Sequence, residues 1–148
     1  MKKLILIILI FSLATNGCVY DPPLPKNEKF KITNNSKQDI FCYASFENNM
    51  DKIPVILNHQ PRGADEFLFP ILEIPVKRSK SLNGVSVWEN FINTNSKDSL
   101  IHIFIFSKSL VKENGWKNII STGEYTKKYV FNEMELEKLD WNIIYNDN

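Results

Sequence analysis

A chain of 148 residues with 24% charged and 43% hydrophobic side chains has an ordinary globular composition and room for one domain. Its 18 Lys and Arg against 17 Asp and Glu leave a net charge of +1, which excludes a nucleic-acid binder that works by bulk charge. Five Gly exclude a glycine-rich architecture, and two Cys with two His exclude a closed zinc site built from Cys alone.

Lys2 and Lys3 form a positive start, followed by a nearly unbroken apolar run from Leu4 to Ala14. At about 1.5 Å per helical residue this run spans roughly half of a bilayer core, too short to cross it. It fits the apolar region of a secretory signal. Thr15-Asn16-Gly17-Cys18 comes next. A small residue followed by Cys just past such a run resembles the lipobox of bacterial lipoproteins, with Thr15 where Leu is usual. The resemblance implies a diacylglyceryl group on the Cys18 sulfur and cleavage just before it. The competing reading is ordinary signal-peptidase cleavage after Ala14. Losing residues 1–17 removes Lys2 and Lys3, so the mature chain has no charge-based attraction to an anionic surface.

The expected layout is a signal peptide over 1–17, a Pro-rich tether over 18–29 and a single domain over 30–148. Asp21-Pro22-Pro23-Leu24-Pro25 enters neither a helix nor a central strand and favours an extended spacer. Phe30 to Thr33 alternates apolar and polar, Asn34 to Lys37 is a turn cluster, and Ile40 to Phe46 is β-prone on both faces. Together they predict a hairpin. Glu47 to Asp51 reads as a loop. Pro54-Val55-Ile56-Leu57, Phe67 to Phe69 and Ile71 to Val76 are short β-like runs, and Pro54, Pro70 and Pro75 confine them to edges or extended loops. Asn83-Gly84 marks a turn. Trp88, Phe91 and Ile92 share one face of a predicted short helix.

Leu100 to Phe106 is the strongest strand, apolar on both faces and so expected at the centre. One or two helical turns are expected around Gly115, a strand over Tyr125 to Phe131, and a short helix starting at Asn132 as N-cap. Trp141 to Tyr145 is the last expected strand. With six to eight strands and two or three short helices, the predicted fold is mainly β: an antiparallel β-sandwich, immunoglobulin-like or similar.

Asp98-Ser99-Leu100 with its hydrophobic strand, the Trp116 segment, Tyr129, and Leu136 to Tyr145 come in an order that resembles a group of small lipoproteins of Bacteroidota. The resemblance spans roughly residues 30 to 146. It rests on fold-determining residues and implies an origin and an address in the cell envelope, with no activity attached. Asp98-Ser99-Leu100 also resembles the O-glycosylation signal of exported proteins of that phylum, which makes Ser99 the candidate acceptor.

No catalytic constellation stands out. Cys42 lies in an apolar strand and reads as a small core residue. His102 lies within the central strand and His59 in a polar turn, without metal-ligand spacing between them. A Gly-x-Ser-x-Gly elbow is absent from the sequence, which argues against a hydrolase triad. Glu133, Glu135, Glu137 and Asp140 read as a solvated helix face, and no calcium-loop pattern is present. Trp88, Trp116 and Trp141 are first of all core fillers. Trp116, next to Gly115 in an expected loop, is the candidate platform for a sugar ring.

The sequence therefore predicts no enzyme, no cofactor, no metal and no nucleic-acid partner. It predicts a protein held at a membrane, preferentially the outer membrane, by lipid on Cys18. The domain would be a non-catalytic binding or accessory module for a glycan or an envelope protein, or else a structural component of an envelope complex.

Overall fold

The computed structural model describes residues 30–53, 56, 69–82 and 87–147. The signal segment, the tether with Cys18, His59, the Asn83-Gly84 turn and most of the run at 54–57 lie outside them. In chain order the elements are β1 (Phe30–Asn34), β2 (Ile40–Ser45), β3 (Leu72–Ile74), β4 (Ser79–Leu82), α1 (Trp88–Asn95), β5 (Ile101–Ser107), α2 (Lys108–Thr122), β6 (Lys127–Phe131), α3 (Glu133–Lys138) and β7 (Asn142–Tyr145).

The strands form two sheets, ordered β4-β1-β7 and β3-β2-β5-β6. Phe30, Ile32, Leu82, Ile143 and Tyr145 of the first pack with Ile40, Cys42, Ile103 and Ile105 of the second in one apolar core. The two sheets thus lie as the expected sandwich, but with three helices among the described residues the fold is mixed α/β rather than mainly β. Trp88 and Ile92 of α1, Leu136 of α3, and Trp141 join this core. All seven residues of β5 are buried, as its two apolar faces predict.

Pairing departs from expectation in two places. β1 and β2 do not form a hairpin: β1 pairs with β4 and β7, β2 with β3 and β5. The Asn34–Lys37 turn instead carries the chain from one sheet to the other. Asn34 is fully buried, and its amide nitrogen donates to the carbonyls of Gln38 (2.9 Å) and Ile74 (3.0 Å). Its side-chain oxygen accepts from the amide and hydroxyl of Ser36. The β3–β4 connection crosses beside it, since the Asn34 N–H donates to the Arg78 carbonyl and the Val76 N–H to the Asp39 carboxylate. Secondly, β1 and β7 run parallel, so the sandwich is not wholly antiparallel.

β4 has no counterpart among the expected strands, because Ser79-Lys80-Ser81-Leu82 offers one buried apolar side chain. Trp141 precedes β7 rather than opening it. Asp140 and Trp141 take positive φ, a tight turn that places the indole in the core. Asn132 caps α3, as the sequence predicts, and Glu135 completes a reciprocal capping box with it.

Candidate functional site

The four-stranded sheet has a second face. The antiparallel register puts Phe41 beside Phe106, Tyr43 beside Phe104 and Ser45 beside His102 on that face. Helix α2 covers its upper part. Ser107 caps α2 by accepting from the Leu110 N–H at 3.1 Å. Gly115 breaks the helix with φ 69 and ψ 154, and Gly123 ends it in the left-handed region. Beyond the Gly115 break, Trp116 turns inward. Its ring meets Phe41 at 5.6 Å and Phe106 at 5.1 Å, both edge to face. Trp116 is half-buried. Packing between helix and sheet, not an open platform, is the role its surroundings give it.

Below α2 the sheet face is covered by the loop over 46–51, and here an open-sided groove of about 260 Å³ forms. Tyr125, Phe104 and Lys128 line one side, Asn48, Asn49 and Asp51 the other. Tyr125 is 43% exposed and sits edge to face on Phe104 at 5.7 Å. The Lys128 ammonium lies 5.2 Å from the Phe104 ring centroid and donates to the Asn48 side-chain oxygen. Asn49 donates to Glu47 at 3.1 Å and accepts the Asp51 N–H at 3.3 Å. These bonds tie the loop to itself and to β6.

A second cavity of about 360 Å³ adjoins the first and shares Asn48 and Asn49 with it. Phe46, Glu47, Asn95, Lys97 and Asp98 complete its lining. The Ser96 hydroxyl donates to Asp98 at 2.7 Å and holds that carboxyl below the usual range. Ser99 follows in the same turn, exposed, with φ 57.

His102 and Cys42 lie on opposite faces of the sheet. Cys42 is buried among the aliphatic side chains between the sheets, where burial pushes its thiol pKa up. His102 is 3% exposed, and neither ring nitrogen has a hydrogen-bond partner among the described residues. Burial lowers its pKa, the Lys128 charge lowers it further, and Asp98 opposes both. Trp88, the other indole expected in the core, is fully buried and stacks on Phe69 at 5.5 Å.

The predicted acidic run is exposed from Glu135 onward apart from buried Leu136, and Glu133 is half-buried. Burial and then the neighbouring Glu89 raise the Glu133 pKa. Among the described residues no group of three or more His, Cys, Asp or Glu is placed to hold a metal ion. Nor is any helix among them long and apolar enough to cross a membrane.

The groove escapes a reading of the sequence because its walls come from three separate stretches: the 46–51 loop, β5, and the segment from Ile120 to Lys128. Its only local signal is the polar Glu47–Asp51 run straight after a β-prone stretch. No family model matches the chain, and neither a curated protein nor a solved structure resembles it.

Proposed function

We propose that the chain is a lipid-anchored protein of the cell envelope, held in the outer membrane through Cys18, whose sandwich domain is a non-catalytic binding module for a glycan or an envelope protein. One observation carries the binding role: a groove with an exposed aromatic ring, amides and both signs of charge on one face of a rigid sheet. The separation of Cys42 and His102 across that sheet supports binding over nucleophilic chemistry by that pair, since a thiol and its base must lie within hydrogen-bond reach.

The anchor rests on Lys2-Lys3, the apolar run to Ala14 and Gly17-Cys18. At about 0.8 kcal/mol per buried CH₂, two or more acyl chains anchor stably where one does not. Mass spectrometry of the purified protein tests it: lipid mass on an N-terminal Cys18 is expected, and Cys18→Ala loses it. An unmodified N-terminus at Thr15 overturns the anchor.

The resemblance of Asp98-Ser99-Leu100 to a glycosylation signal has support in the exposed turn that presents Ser99. The immunoglobulin-like version of the sandwich has support in the division of the seven strands among the described residues into four and three, though not in their order. A structural role in an envelope complex is the second reading. Exposed apolar Met134, Leu139 and Ile144, all in the C-terminal stretch, favour it.

A further inference from the structure

We propose that the two adjoining cavities around Asn48 and Asn49 are subsites for a neutral oligosaccharide, with Tyr125 as the platform for one sugar ring. This rests on the binding-module reading above and names its ligand class. Three features of the groove select this chemistry.

The first is size and division. A cavity of about 260 Å³ falls below the ~300–1,000 Å³ that holds a drug-sized ligand. It suits one ring. The second, of about 360 Å³, lies at the bottom of that range, shares Asn48 and Asn49 with the first, and has room for a further ring. Two small chambers that share two asparagines in their walls match a ligand made of repeated ring-sized units better than one flat or bulky molecule.

The second feature is charge. Lys128 and Asp51 are the charged residues lining the first chamber, and Lys97, Glu47 and Asp98 those lining the second. The first chamber balances and the second carries one extra carboxylate, so neither rewards an anion. Lys128 is also engaged already, by the Asn48 oxygen and the Phe104 ring.

The third is the type of polar group. A sugar hydroxyl donates and accepts at once, and side-chain amides, carboxylates and ammonium groups answer both needs within a few ångströms. With its oxygen accepting from Lys128, Asn48 still has its two amide N–H groups as donors. Lys128 keeps two further N–H donors, and Asp51 supplies acceptors. The loop bonds between Asn49, Glu47 and Asp51 fix these groups beforehand, so little ordering is required on binding. Tyr125 then offers an apolar ring face to the C–H face of the sugar, with Phe104 edge-on behind it.

The test uses the full mature chain, purified in detergent and titrated calorimetrically with cellobiose, maltose and N,N′-diacetylchitobiose. At least one of the three is expected to bind. Tyr125→Ala should weaken that binding roughly tenfold or more while the denaturation midpoint stays unchanged. Lys128→Met should weaken it as well, and covers the case in which Tyr125→Ala does not fold. Trp116→Phe should leave it unchanged. Binding that survives both groove variants, or that Trp116→Phe abolishes, overturns the site. Failure of all three sugars overturns the ligand class. Crosslinking in cells then separates the two levels: a protein partner captured through the 46–51 loop leaves the binding-module reading standing, and its absence removes that as well.

Discussion

On one face of the four-stranded sheet, Ile101, Ile103 and Ile105 of β5 meet Cys42, Ala44 and the other sheet. On the opposite face of the same strand, Phe104 and Phe106 meet Tyr43, Ile119 and helix α2, and His102 sits at the end. Strict alternation along Ile-His-Ile-Phe-Ile-Phe thus sorts β-branched side chains to one side and ring side chains to the other. Branched aliphatics interlock between two sheets and leave no polar atom to satisfy. Rings span the wider, less regular gap under a helix and accept polar neighbours at their edges. The first face therefore holds the fold together, and the second has room for a groove.

The largest effect that can break this comparison is a cavity between the sheets. Ile103→Ala should cost roughly 2–5 kcal/mol. Val130, 41% exposed beside His102 on the other face, should lose no more than about 0.5 kcal/mol on replacement by Ala. Denaturant midpoints measure both. Equal losses would mean that the two faces do not divide the labour of stability and recognition.

Both apolar faces of β5 and the Asn132 cap of α3 are legible because each depends on neighbours in sequence. The β1–β2 hairpin was misread for the opposite reason. Asn34-Asn35-Ser36 has the composition of a hairpin turn, yet Asn34 spends its amide on Gln38 and on Ile74, forty positions away. Nothing local distinguishes a turn that folds back from one that changes sheets. β4 was invisible because its alignment comes from β1, not from its own polar side chains. The sequence suggests a platform at Trp116 because Gly115 marks a break but not the direction the chain takes after it. Only the aromatic pocket of Phe41 and Phe106 supplies that direction.

Asn34 also gives the next test. It belongs to neither face but fixes the corner where the chain passes between them. Asn34→Ala removes the donors to the Gln38 and Ile74 carbonyls and the acceptor of the Ser36 N–H, at a cost of about 1–3 kcal/mol, while the Ser36 hydroxyl keeps its bond to the Gln38 carbonyl. Asn34→Asp keeps the acceptor but loses both N–H donors, so it should not restore stability. Thermal unfolding of the two variants checks this. A fully stable Asn34→Asp would show that the two crossing connections do not depend on that donor pair.

The smallest effect is a slope with pH, and it separates the faces by chemistry. His102 is held neutral by burial and by Lys128, so its folded pKa lies below its ordinary value of 6.5. As pH falls through about 6.5, the unfolded chain takes up the proton first. Stability contributed by the neutral ring is complete above that pH. It declines as pH falls, and levels off once the lower folded pKa has been passed. Asp39 and Asp98 act in the same direction in a lower range: their folded pKa values lie below 3.8, so their contribution too is lost as pH falls, but only at still lower pH. Glu133, raised above 4.5 chiefly by burial, opposes the His102 trend near its own range. The difference between wild type and His102→Phe cancels these other groups. Phenylalanine fills a similar volume beside Phe104 and carries no proton. Denaturant unfolding at pH 7 and pH 5 should show wild type losing stability relative to His102→Phe. A parallel pH dependence in the two proteins would mean that His102 is protonated as readily in the folded chain as in the unfolded one, and that the ring face is wet at that end.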